Sequence, residues 1–131
     1  MKLTAHSRNK FLHTFVQWSV PEDYARPMMD YLTHGFAPGS FFTSLLANDF
    51  LGAVRHSHPA NSMQALKALV GWMGECMPEE AYGSYRKVED WLELSEEQRR
   101  AILVECRLVY TAEDEVMLVL QGERTVEPIF Y

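Results

Sequence analysis

Two histidines, His56 and His58, lie two residues apart, with His34, Cys76 or Cys106 as candidate further ligands for a transition metal. Residues at i and i+2 point to opposite sides of a helix, and neither cysteine has a second one at zinc-site spacing. The two therefore read as surface histidines in a turn ended by Pro59, with no metal ligand and no cofactor expected. Nucleophilic catalysis wants a Ser or Cys, a His base and an orienting carboxylate; Ser40, His34 and Asp49 are the candidates. Ser40 already stands where a helix cap belongs, and no strand-to-helix elbow surrounds it. "HGFAPGS" holds two glycines but lacks the Lys and the spacing of a phosphate loop. No catalytic residue is assigned on these grounds.

Recognition of another protein asks for different residues. The chain has 16 aromatics (7 Phe, 6 Tyr, 3 Trp), with Tyr82, Tyr85 and Trp91 grouped near the loop 78–85. Aromatics are enriched at protein interfaces, and acidic helices flank this loop. The net charge of −6 is unevenly spread. Residues 1–74 hold 6 Lys/Arg and 4 Asp/Glu, about +2; residues 75–131 hold 6 and 14, about −8. An acidic half repels a nucleic-acid backbone and attracts a basic protein surface. Lys2, Arg8 and Lys10 form the one early basic cluster available for phosphate contacts.

These residues need a frame of 131 residues, enough for one domain with a single core and no staples. Two cysteines make no disulfide framework, no run approaches a membrane span, and "MKLTAHSRNKFLHTF" has no apolar leader core. The expectation is a cytoplasmic protein. In "NKFLHTFVQW", Phe11, Phe15 and Trp18 form a helical stripe that Leu12 and Val16 widen. "SVPEDYARPMMDYLTHG" predicts a helix with Ser19 as cap, a kink or fresh start at Pro27, and a left-handed stop at Gly35. In "GSFFTSLLANDF", an unbroken helix would set Asp49 in the middle of an apolar face of Phe42, Leu46, Phe50 and Val54, where an unpaired carboxylate would cost several kcal/mol. A helix ending near Ala47 and another capped by Asp49 is the cheaper solution.

Asn61 is the expected cap of "NSMQALKALVGWMGECM", whose stripe of Met63, Leu66, Leu69, Val70, Met73 and Met77 has Trp72 beside it. Gly71 and Gly74 suggest a close neighbour at that end. Ser84 caps a short helix carrying Tyr85, Val88 and Trp91, and Ser95 with Gln98 makes a capping box. "ECRLVY" and "EVMLVLQ" flank a polar "TAEDE" and read as a hairpin, with "TVEPIFY" as an edge strand. The expected fold is α+β, mainly α: about five to seven short helices, then a C-terminal antiparallel β hairpin or three-stranded meander. As one domain, 1–131, it divides into an N-terminal helix (1–20), a helical core (21–103) and the β element (104–131). The edge of that β element is a surface on which a homodimer would pair.

Across residues 21–92, the run Pro38, Gly39, Ser40, Phe41, then Asn48 and Asp49, Asn61, Gly83 and Ser84, and Val88 with Trp91 resembles a family of small uncharacterised phage and prophage proteins. The chain departs from that pattern at Tyr82, where the family has Trp, at Phe50, where it has Leu, and in "HSHPAN", which lacks the usual Asp. The resemblance implies a phage or prophage origin and a host-cell setting, and it supplies no activity. The candidate binding residues are Asn48, Asp49, Asn61, Trp72, Tyr82, Gly83, Ser84, Tyr85 and Trp91. The leading expectation is a non-enzymatic accessory protein that binds a host or phage protein. The alternatives are a small-ligand-binding or enzymatic protein with a pocket walled by Phe41, Trp72 and Tyr82 at Asp49, and a nucleic-acid-associated regulator using the N-terminal basics.

Overall fold

The first helix begins where Thr4, in an extended conformation, lets its hydroxyl accept the Ser7 N–H at 3.2 Å. In the computed structural model, which describes residues 2–57 and 62–130, α1 runs Ala5–Gln17 and α2 Glu22–His34. Then come α3 Ser40–Leu46, α4 Phe50–His56, α5 Met63–Cys76, a 3-10 turn Glu79–Ala81, α6 Tyr85–Glu93, α7 Glu96–Glu105 and α8 Ala112–Leu120. The capping chemistry accounts for most of these starts. Ser62, Ser84, Ser95 and Thr111 each accept the N–H three residues on, and Ser95 with Gln98 closes the full reciprocal box. The cap expected at Asn61 falls outside the described residues, and Ser62 holds the cap position.

The core is built around α1. Phe11, Leu12 and Phe15 are fully buried, and Trp72 of α5 stacks on Phe15 with ring centroids 4.2 Å apart. Met28, Tyr31 and Leu32 of α2, Leu46 of α3, Leu69 of α5, Trp91 of α6 and Leu103 of α7 complete it. The buried aromatics satisfy their polar ends: Trp72 Nε1 donates to Thr14 Oγ1, Trp91 Nε1 to the Tyr31 carbonyl, and the Tyr31 hydroxyl to the Ala81 carbonyl. Burial pushes the Tyr31 phenol well above its ordinary value. Gly71 has Trp18 ring carbons within 3.0 Å of where a Cβ would stand, so a close neighbour is indeed there; Gly74 has nothing within 4 Å.

Several expectations are corrected. Helix α2 continues through Pro27, with Pro21 rather than Ser19 at its N-cap; Ser19 adopts φ 59 in the preceding turn. Gly39 rather than Ser40 occupies the N-cap of α3. In α5 the core-facing residues are Leu69, Trp72 and Met73, whereas Met63 and Val70 of the expected stripe are exposed.

The largest correction concerns residues 104–131. No strand occurs among the described residues, so the α+β class gives way to an all-helical fold, and the homodimer through a C-terminal β edge loses its edge. The "TAEDE" read as a hairpin turn is the first turn of α8. Thr111 accepts the Asp114 N–H at 3.1 Å, and Glu113, Asp114 and Glu115 stand where the helix dipole favours acids. Leu108 and Val109 of "ECRLVY" follow α7 through a left-handed Arg107 (φ 65) and are buried in the core. Residues 123–130, without regular secondary structure, contact α1: the Val126 carbonyl accepts from Asn9 Nδ2 at 2.7 Å, and Glu127 pairs with Arg8 at 2.7 Å.

Candidate functional site

Helices α3 and α4 are joined by three residues, Ala47, Asn48 and Asp49. Asn48 takes φ 61, a left-handed conformation that Asn tolerates better than most side chains, and this turn separates α3 from α4. Asp49 then caps α4: its Oδ1 accepts the Gly52 N–H at 3.0 Å. Its Oδ2 accepts the Tyr85 hydroxyl at 2.5 Å, and that hydroxyl lies 3.4 Å from Ser44 Oγ of α3. The hydrogen bond from Tyr85, then that from Gly52 and the charge of His56, hold the Asp49 carboxyl below the usual carboxylate range. Gly52 is required here, because a Cβ would stand 2.3 Å from Asp49 Oδ2 and 2.9 Å from Ser44 Oγ.

Tyr85 reaches Asp49 because of the two residues before it. Gly83, at φ 124, donates its N–H to the Leu46 carbonyl at 2.7 Å, tying the loop to the last turn of α3. Ser84 caps α6 by accepting the Lys87 N–H at 3.1 Å, which places Tyr85 as the first helical residue. Thus Asp49 meets Tyr85, and Leu46 meets Gly83, across one three-helix junction that Asn48 and Ser84 shape as turn and cap. Beside it, Gly39, Ser40, Thr43, Ser44, His56 and Tyr85 line an open hollow of about 420 Å³.

The remaining candidates do not join them. Trp72 and Trp91 are sealed in the core, at 0% and 1% exposure, so no ligand meets either without unpacking the protein. Tyr82 is half-buried and packs against the core. The pocket expected from Phe41, Trp72 and Tyr82 around Asp49 is therefore replaced by a hydrogen-bonded joint of Asp49, Tyr85 and Ser44. Asn61 and His58 lie outside the described residues. Of the considered triad, Ser40 and His34 line separate hollows, and Asp49 is engaged by Tyr85 and Gly52. Burial pushes the thiols of Cys76 and Cys106 up, away from the thiolate that metal binding or catalysis needs. The early basics are partly engaged, since Arg8 pairs with Glu127 and Lys10 sits over the Tyr110 ring at 4.4 Å.

The junction leaves most of α4 exposed. Its one buried side chain is Ala53; Phe50, Leu51 and Val54 point outward, the first two at 73% and 79% exposure. Large apolar side chains clustered on a short, braced helix have the composition of an interface anchor. In the sequence, Phe50 and Val54 share an apolar face only in an unbroken helix, the costlier alternative to a cap at Asp49; in the structure both are exposed. No helix among the described residues is long and apolar enough to cross a membrane. Comparison of the chain with protein-family models, with curated proteins and with solved structures returned no match.

Proposed function

We propose that this protein is a non-enzymatic accessory protein of a phage or prophage that acts by binding a host or phage protein, blunting a host defence or redirecting host machinery. The observation that carries this reading is the outward face of α4, Phe50, Leu51 and Val54, braced by the Asp49–Tyr85 hydrogen bond. Burying side chains of this kind contributes about 1.5–3 kcal/mol each, enough for three of them to anchor a complex. Arg55, in the last turn of α4 beside them, suits a partner whose apolar contact is flanked by a carboxylate. The resemblance of residues 21–92 to phage and prophage proteins supplies the setting, and its Asn48-Asp49 and Gly83-Ser84 pairs act as the joinery that positions α4 and Tyr85.

The test is recovery from bacterial lysate with the tagged chain, Phe50→Asp/Leu51→Asp and an exposed control, Lys67→Ala. A stoichiometric partner retained by the parent and the control but lost by the α4 variant supports the reading. A partner indifferent to α4, or none from any lysate, overturns it. The hydroxyl-lined hollow of about 420 Å³ beside Tyr85 favours a second reading, capture of a small polar ligand such as a polyol. That reading predicts thermal stabilisation by ligand, lost in Ser44→Ala, with no dependence on Phe50 or Leu51.

A further inference from the structure

Helix α8 is the second place where a packed helix keeps an apolar face in water. Ala112, Val116, Val119 and Leu120 recur at i, i+4, i+7 and i+8, one stripe of a helix. Val119 and Leu120 are 68% and 75% exposed, while Glu115, at the inner edge of the stripe and itself lining the groove, holds the helix to the body through Ser7 and Arg100. The stripe forms one wall of a groove of about 370 Å³, whose other wall begins at Thr4, the cap of α1. Glu113, exposed, lies on the flank of the stripe beside Leu120, and Glu123 follows just beyond its end. The half of the chain that carries α8 holds 14 acids against 6 basic residues.

We infer that the α8 groove is a docking site for a basic amphipathic helix of a partner protein, a helix with one apolar stripe flanked by Lys or Arg. Shape and charge both ask for this occupant. The apolar stripe matches a helix laid along it, read by anchors at the same three- and four-residue spacing. The surrounding carboxylates favour cationic flanks and oppose an acidic helix or an anionic membrane surface. The site is separate from α4, since α8 lies against α1 and α7 whereas α4 packs on α3. The inference therefore stands or falls independently of the α4 reading, and if both hold the protein joins two partners.

The experiment uses the full chain and two synthetic helical peptides as probes, one of Leu and Lys and one of Leu and Glu in the same amphipathic pattern, followed by fluorescence anisotropy. The Leu/Lys peptide is expected to bind, at least about tenfold more tightly than Leu/Glu, and to weaken as salt rises from about 50 to 500 mM. Val116→Ser/Leu120→Ser removes apolar surface without changing charge and is expected to weaken binding about tenfold, as loss of central anchors does. Val119→Ser serves as an independent second variant, and Gln64→Ala, exposed and uncharged on α5, is expected to leave peptide binding unchanged. Equal binding of both peptides, or peptide binding indifferent to the α8 variants, overturns the inference. So does sedimentation showing that the parent chain self-associates and that Val116→Ser/Leu120→Ser abolishes this, because the groove's occupant would then be a second copy.

Discussion

Removing one oxygen, in Ser7→Ala, tests how α8 is held in place. Ser7 is fully buried on α1; its hydroxyl donates to Glu115 Oε1 of α8 at 2.7 Å and accepts the Tyr110 N–H at 3.1 Å. Glu115, itself buried, takes its other bond from Arg100 of α7 at 2.7 Å. Alanine leaves the Tyr110 N–H without its partner, costing about 1–3 kcal/mol, and removes a charge-assisted bond of about 1.5–3 kcal/mol, part of which Glu115 retains through Arg100. A net loss of about 3 kcal/mol follows, a large fraction of the roughly 5–15 kcal/mol that holds a domain of this size. At about 3–4 °C per kcal/mol for this length, the melting temperature falls by roughly 10 °C. Thermal and urea unfolding followed by far-UV circular dichroism measure it, with Glu115→Gln and the double variant completing a cycle whose coupling is expected to exceed about 1 kcal/mol. Hydrogen exchange should quicken in α8 before α5. A melting temperature within about 2 °C of the parent, or strict additivity in the cycle, would refute the idea that this network fastens the helix.

Four further outcomes follow from the same geometry. Gly52→Ala should destabilise, measured by urea titration, although Gly→Ala inside a helix ordinarily gains about 1 kcal/mol, because its Cβ displaces the Asp49 carboxylate; a more stable variant would contradict the crowding. The Asp49 carboxyl is depressed in the fold, so its contribution is present above the ordinary carboxylate value and lost as pH falls through the depressed one. Asp49→Asn should accordingly flatten the acid limb of stability against pH, and an unchanged limb counts against it. The Tyr31 phenol is raised, so its contribution is complete below the ordinary tyrosine value of about 10 and lost as pH rises beyond it; alkaline unfolding monitored by tyrosinate absorbance should be blunted in Tyr31→Phe. Trp72→Ala should cost about 3–5 kcal/mol or prevent folding, whereas a soluble, native-like variant would mean that Trp72 is not the keystone against Phe15.

The sequence was most readable where one residue makes a local hydrogen bond. Ser84, Ser95 and Asp49 each cap a helix in the structure, because a side-chain oxygen three residues before a free N–H needs nothing from the rest of the chain. It was least readable where contact at a distance decides. Leu118, Val119 and Leu120 have strand-like composition, and no local signal reveals that Glu115 will find Ser7 across 108 residues and fasten a helix there. Thr111 followed by three acids was the available clue, since that is a helix start as much as a turn. In α5 the expected stripe meets the core at Leu69, Met73 and Met77 and leaves it at Met63 and Val70, while Trp72, read as lying beside the stripe, is fully buried because its ring has the most area to bury.

The same contrast bears on what the motif residues are for. Asn48, Asp49, Gly83 and Ser84 are each explained by a turn or a cap, which would leave them without functional meaning if the helices they position were buried. They are not: the joint they form sets α4 with its large side chains in water and holds Tyr85 half exposed against Asp49. Burying Phe50 inside the protein would have been the cheaper arrangement by the energy of its own transfer, about 1.5–3 kcal/mol. The helix that keeps Phe50 in water is braced by two hydrogen bonds to one carboxylate, an arrangement that serves either as a joint between helices or as a support for presenting α4. Asp49→Ala therefore discriminates between the two meanings. If the joint only ends one helix and starts another, the variant loses stability while its partner affinity, measured well below the melting temperature, stays unchanged. If the joint exists to present α4, affinity falls even where the variant remains fully folded, and Tyr85→Phe, which removes the hydroxyl that Asp49 accepts, reproduces that fall with a smaller change in stability.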